Sequence, residues 1–146
     1  MSQSNTSLDP RGLRFGAAIT SIVLATVILA PAGVKEPLLL IQVALFALGA
    51  FFGPAATPQS KIFAAFVRPR IGPPRETEDS RPPQFAQAVG LAFTAPAAIL
   101  LFAGFSGTAL VLVGFALAAA LLNAATGFCL GCEMYLTTRR LAKQFV

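Results

Sequence analysis

Histidine and tryptophan are absent from this chain of 146 residues, tyrosine occurs once and cysteine twice. Without imidazole there is no histidine ligation of haem or copper and no Ser-His-Asp triad. Cys129 and Cys132 supply two of the four ligands of a structural zinc site, and only an identical partner chain would supply the rest. No metal and no cofactor is therefore expected. Charge is scarce as well: 12% of residues are charged and 55% are hydrophobic, and the mean hydropathy is +0.73. A soluble domain this apolar would expose too much hydrocarbon surface to stay monomeric. Asp, Glu, Lys and Arg are missing altogether from 15–30, 37–53 and 85–132. Ion transporters and proton pumps place a charged relay inside the membrane, so a proton-coupled transporter is disfavoured. The net charge of +5 raises the question of nucleic acid. The basic residues lie beside long apolar runs, however, with no aromatic-basic surface motif, and nucleic acid is not expected as a partner.

What is present is a set of apolar segments of membrane-spanning length. The chain reads as one integral membrane domain over 1–146, an all-α membrane protein with four transmembrane helices in a compact bundle. The spans fall at about 14–32, 37–53, 84–104 and 108–136, with a polar loop at 54–83. At 1.5 Å per residue, Gly12 to Val34 is long enough to cross roughly 30 Å of hydrocarbon. Ala30-Pro31-Ala32 resembles a signal-peptide cleavage site, but a proline between the small residues suits that role poorly. Pro31 and Gly33 stop the first helix, Pro37 suits the first turn of the second, and Pro96 should kink the third. In the loop, Thr57-Pro58 is a cap and first turn. Ile62, Phe63, Phe66 and Val67 share a helical face there, which reads either as a short interfacial helix or as ordinary loop. Arg68-Pro69-Arg70, Gly72-Pro73-Pro74 and Pro82-Pro83 are expected to be extended. Gly12 with Gly16, Gly49 with Gly53 and Gly127 with Gly131 have the spacing of close helix contacts. Gln42, Thr94, Asn123 and Thr126 are candidates for hydrogen bonds between helices.

Ten of the eleven basic residues lie on the side shared by the termini and the middle loop, and only Lys35 lies opposite. The positive-inside rule then puts both termini and the loop in the cytoplasm. The expected location is the bacterial inner (plasma) membrane, multi-pass, with lipids as neighbours.

The one constellation with chemical potential is Phe128-Cys129-Leu130-Gly131-Cys132-Glu133-Met134-Tyr135. Cysteines three apart on a helix are within reach of a disulfide, and this spacing occurs in thiol-disulfide exchange sites. One thiol attacks a partner's sulfur and the second resolves the mixed disulfide. Read as part of a fourth helix that continues past Tyr135, the pair sits towards a helix C-terminus, where the dipole disfavours a thiolate. Two routes would compensate: a break at Gly127 that starts a new helix near Cys129, or packing of Arg11, Arg14, Arg68 or Arg70 against the pair. The same arginines also suit anionic lipid or a partner's surface. Glu133 is a candidate for proton transfer. The bland alternative is that both cysteines are small residues in a helix contact, and most of the surface charges are solvated pairs worth little each.

Asp9-Pro10-Arg11 with Arg14-Phe15, Arg68-Pro69-Arg70, Glu78-Asp79 with Pro82-Pro83 and Phe85-Ala86-Gln87, and Phe128-Cys129-Leu130-Gly131-Cys132 with Tyr135 together carry a resemblance. The chain resembles a family of small four-helix bacterial, largely actinobacterial, membrane proteins described as a domain of unknown function, over nearly its whole length. The resemblance implies an association with thioredoxin-like and sulfurtransferase proteins, which fits a sulfur or disulfide role for Cys129 and Cys132. The leading expectation is a membrane-embedded dithiol protein that exchanges electrons or sulfur with a cytoplasmic thioredoxin-like or rhodanese-like partner. The alternative is a non-catalytic small subunit or assembly factor of a larger membrane complex, or a homo-oligomer, in which the cysteines only pack. A small carrier of a sulfur compound, using the stripe of Asn123, Thr126 and Cys129, is a third.

Overall fold

The computed structural model describes residues 7–145; residues 1–6 and 146 of the expected domain lie outside that range. Helix α1 (Pro10–Leu29) begins where Asp9 accepts from the backbone N–H of Arg11 at 3.0 Å and Pro10 opens the first turn, the arrangement that satisfies otherwise orphaned N–H groups. It ends because Ala30, preceding Pro31, is held extended. Helix α2 (Lys35–Phe52) starts two residues before the expected Pro37: the Glu36 carboxylate accepts from the Gly33 N–H at 2.7 Å and secures the first turn. It stops at Gly53, ahead of Pro54.

The middle loop is more helical than its prolines suggest. After a 3₁₀ turn at Pro54–Ala56, α3 (Pro58–Ile62) is capped by the Thr57 hydroxyl, which accepts from Ser60 N–H. A π-helical turn (Phe63–Val67) and α4 (Arg68–Ile71) follow directly. The extended backbone expected at Arg68-Pro69-Arg70 is thus replaced by helix, and so is that expected at Pro82-Pro83, which open the first turn of the helix Arg81–Phe102. The wider π turn, closed by Arg68 N–H to Phe63 C=O, accommodates Pro69 in the first turn of α4, where its missing N–H is no loss. The apolar face divides: Phe63 is buried against the Phe15 ring, while Ile62 and Phe66 point outward. Two residues on each side, Ser7–Leu8 (β1) and Glu78–Asp79 (β2), pair antiparallel and tie the loop's end to the start of α1.

Helices α5 (Arg81–Phe102) and α6 (Ser106–Thr126) complete four helices long and apolar enough to span a membrane. α5 runs unbroken through Pro96. The four form a ring in which α1 packs on α2 and α6, and α5 on the same two. Their outer faces carry exposed Ile22, Leu29, Phe51, Phe52 and Ile99, as lipid-facing helices do. The packed core occupies one half of the bundle only. Leu24, Val27, Leu39, Ala97, Leu101, Ala109 and Val113 meet at the end nearest Lys35. The other half closes less tightly.

Close approach is real at fewer glycines than the spacings imply. A Cβ at Gly49 would collide with Gln87, and one at Gly90 with the Phe46 ring; Gly53 and Gly127 are instead turn residues with positive φ. Two of the candidate polar groups serve their own helices: Thr94 Oγ1 donates to Gly90 C=O at 2.8 Å and Thr126 Oγ1 to Leu122 C=O at 2.6 Å. One bond that does cross between helices is Gln84 Nε2 donating to Ala50 C=O, 2.8 Å. Gln42 is 1% exposed and both its amide atoms lack a partner among the described residues. Leaving a buried amide unsatisfied costs about 1–3 kcal/mol. We expect Gln42→Leu, of similar volume, to raise the thermal unfolding midpoint in detergent; a lowered midpoint would show that the amide has a partner in the folded protein.

Asp9 organises the polar end. Its buried carboxylate pairs with Arg11 (2.8 Å) and Arg68 (3.5 Å), and Arg11 also donates to Gly72 C=O at 2.8 Å. The hydrogen bonds from Arg11 hold the carboxyl below its ordinary value, against burial, which pushes the other way. A depressed folded value means that this stabilisation is complete above the usual carboxylate range and is lost as acid protonates the group through the lowered one. Asn would keep the cap and lose the charge, so Asp9→Asn is expected to cost about 1.5–3 kcal/mol at neutral pH. The difference from the natural protein should shrink below about pH 4, as measured by chemical unfolding in detergent.

Candidate functional site

The site forms where the expected fourth helix breaks. The sequence predicts one continuous helix over 108–136, but α6 ends at Thr126 and a separate helix, α7 (Leu130–Phe145), begins four residues later. Gly127 adopts the left-handed conformation (φ 80°) and its N–H returns to Asn123 C=O at 2.7 Å. This closes α6 in the way that favours glycine. The Thr126 hydroxyl accepts from Phe128 N–H. Arg14 reaches across from α1 and donates to Ala124 C=O at 3.0 Å and Ala125 C=O at 3.1 Å. A cation on the last carbonyls complements the negative end of the helix dipole.

Cys129 is consequently the residue that caps α7. Its C=O accepts from Glu133 N–H at 3.0 Å, and its Sγ accepts from Cys132 N–H at 3.1 Å. The two cysteines are half-buried, their Cα atoms are 5.2 Å apart, and the sulfurs are within disulfide distance. The pair therefore lies at the positive end of a helix, not at the negative end that a continuous helix would give it. A helix N-terminus stabilises a thiolate.

Docking of α7 on α5 fixes this geometry. Gly131 is buried so close to Ala86 that a Cβ there would lie 2.6 Å from the Ala86 Cα. One turn on, the Tyr135 ring packs against Phe85 with centroids 5.7 Å apart, and Arg139 donates to the Tyr135 hydroxyl at 3.2 Å. Leu130, Met134, Leu141 and Phe145 fall on one face of α7 and are exposed.

The half of the bundle that lacks a tight core holds a cavity of about 390 Å³, within the range of small-molecule sites. Cys129, Cys132 and Arg14 line it with Glu78 and Gln59 at the end nearest the middle loop, and Thr20, Gln87 and Asn123 add polar groups from within their helices. Phe46, Phe93 and Phe115 provide aromatic wall.

Among the sequence candidates, the structure brings Cys129, Cys132 and Arg14 together. Arg11 and Arg68 are engaged with Asp9. Arg70 is exposed on α4, and Glu133 is exposed on the first turn of α7, away from the cavity wall. Among the described residues no three His, Cys, Asp or Glu side chains cluster as a metal site. Sequence reasoning missed Gln59, Gln87 and the aromatic wall, because nothing in their spacing distinguishes a cavity-lining face from a packed one.

The chain belongs to the family described as Domain of unknown function (DUF4395), whose model matches residues 8–140. No curated protein and no solved structure matches it.

Proposed function

We propose that this is a membrane-embedded dithiol protein of the bacterial plasma membrane, with both termini and the middle loop in the cytoplasm. There it exchanges electrons or sulfur with a soluble thioredoxin-like or rhodanese-like partner through Cys129 and Cys132. The observation that carries this reading is the position of Cys129 as the cap of α7, with the Cys132 N–H directed at its sulfur. Sidedness rests on the charge bias, ten of eleven basic residues sharing one end.

The exchange balances as follows. The Cys129 thiolate attacks a partner disulfide, the partner's S–S bond breaks as one forms between the proteins, and the partner's other sulfur is released as a thiolate that takes up a proton. Cys132 then loses its proton and attacks the Cys129 sulfur. The intrachain disulfide closes and the partner's second thiolate departs. Two electrons have passed to the partner, and every step runs equally in reverse. Arg14, which lines the same cavity, adds positive charge there. For sulfur transfer, the same Cys129 thiolate would accept the outer sulfur of a partner persulfide and release the partner's thiolate.

Equilibration of the detergent-solubilised protein with graded ratios of reduced and oxidised dithiothreitol tests this reading. It predicts one reversible two-electron transition between dithiol and disulfide; sulfurs that react only after unfolding would contradict it. A second reading, a small subunit of a larger complex, draws support from the exposed apolar stripe of α7. Stoichiometric co-purification with a large assembly, together with redox-inert cysteines, would favour it.

A further inference from the structure

The cavity beside the cysteines reaches deeper than exchange with a soluble protein requires. Its wall extends from Cys129 and Cys132 to Thr20, Phe93 and Phe115, each near the middle of its helix. From Phe115 to the end of α6 is about 16 Å at 1.5 Å per residue, half the thickness of the hydrocarbon layer. A water-soluble thiol would meet the sulfurs at the mouth and leave this apolar chamber unused. A plain acyl chain would fill the chamber but would offer nothing to Gln59. That side chain is more than nine-tenths buried, lines the cavity, and has an Oε1 without a hydrogen-bond partner among the described residues. Burying such a group is unfavourable unless something pairs with it.

We propose that the cavity binds the head group of a lipid-soluble quinone, and that this quinone is the second redox partner of Cys129 and Cys132. The proposal rests on the dithiol reading above and names the oxidant that reading leaves open. A planar ring stacks on aromatic walls such as Phe46 and Phe93. The Gln59 amide suits both redox states of the ligand: Nε2 donates to a quinone carbonyl, and Oε1 accepts from a quinol hydroxyl. The lipid tail leaves between the apolar helices. In the reaction the two S–H bonds break and the S–S bond forms. Two electrons and two protons go to the quinone, which becomes the quinol. A cytoplasmic dithiol then re-reduces the pair, so electrons flow from soluble thiols into the membrane's quinone pool.

The test mixes the reduced full-length protein in detergent, without oxygen, with a decyl-tailed benzoquinone whose ring is fully substituted and therefore cannot alkylate thiols. One quinol formed per protein, with closure of the Cys129–Cys132 disulfide, is expected. Gln59→Leu and Ala120→Phe, the second of which fills the cavity, should each slow this oxidation by about tenfold or more while oxidised dithiothreitol still reacts normally. Gln59→Leu removes an unpaired buried amide and should fold even where Ala120→Phe does not. Absence of quinol formation in a protein that still exchanges with dithiothreitol would overturn the quinone and leave the dithiol reading standing. Equal rates in the natural protein and Gln59→Leu would overturn the cavity as the site. Binding is separable from redox chemistry in the Cys129→Ser/Cys132→Ser protein. The same quinone should raise its thermal midpoint, and no rise would also overturn the proposal.

Discussion

Cys132→Ser is expected to accumulate a mixed disulfide between Cys129 and a cytoplasmic protein, whereas Cys129→Ser accumulates none and loses exchange on the order of a thousandfold or more. The asymmetry follows from position. Cys129 caps α7 and receives the Cys132 N–H on its sulfur, so its thiolate is the one the helix stabilises. Cys132 lies within the first turn and is placed to attack Cys129, not to begin the reaction. The backbone N–H of residue 132 remains in the serine variant, so Cys129 keeps its stabilising donor. Non-reducing electrophoresis of membranes quenched with acid and alkylated reads both results. Equal trapping by the two variants would contradict the assignment of roles. Loss of folded protein in both would show that the cysteines pack and do not react.

Gly131→Ala should cost more than any other single methyl added to the chain's described glycines near the site. Alanine is the better helix former by about 1 kcal/mol, and at an exposed helical position that gain would win. Here the new Cβ would lie 2.6 Å from both the Cα and Cβ of Ala86. The obstacle is backbone, which cannot rotate away, and forced overpacking costs about 1–3 kcal/mol or more. The cheapest relief is for α7 to move off α5, and that breaks the Phe85–Tyr135 contact. The expected result is a lower thermal midpoint, cleavage of α7 by added protease, and slower thiol exchange with both cysteines present. Unchanged exchange with an intact α7 would show that the docking of this helix does not set the geometry of the pair.

The four apolar helices were legible because nothing but uninterrupted apolar length separates a spanning segment from the rest, and the charges are confined to its ends. Helix ends were legible where a proline marks them, as at Pro31 and Thr57-Pro58, whereas α1 begins at Pro10, ahead of the expected 14, because Asp9 caps it there. The break after Thr126 was harder to see. Gly127 reads equally well as one half of a small-residue contact pair with Gly131. Only the structure shows that the first is a left-handed turn and the second a close approach. That distinction reverses the electrostatics of the cysteine pair from the negative to the positive end of a helix. The loop helix α4 is hidden in the sequence for a related reason. A proline excludes the helix interior, but a π turn ahead of it lets Pro69 open a new turn. The arginines divided on a criterion invisible in one dimension: Asp9 engages Arg11 and Arg68, which leaves Arg14 to face α6 and the cysteines. The cavity had no sequence signal at all. It exists because the large packed residues Leu24, Val27, Leu39 and Leu101 fall at one end of the ring of helices, and the other end is lined by Gly16, Ala86, Ala119 and Ala120.

The central claim is that Cys129 and Cys132 cycle between dithiol and disulfide in the cell. Alkylation-shift trapping in intact cells, before and after a mild oxidant, measures this directly. The account predicts a disulfide between the two residues that forms on oxidation and is removed again by cellular reductant. Two thiols that stay reduced throughout, and resist alkylation until the protein is denatured, would contradict it.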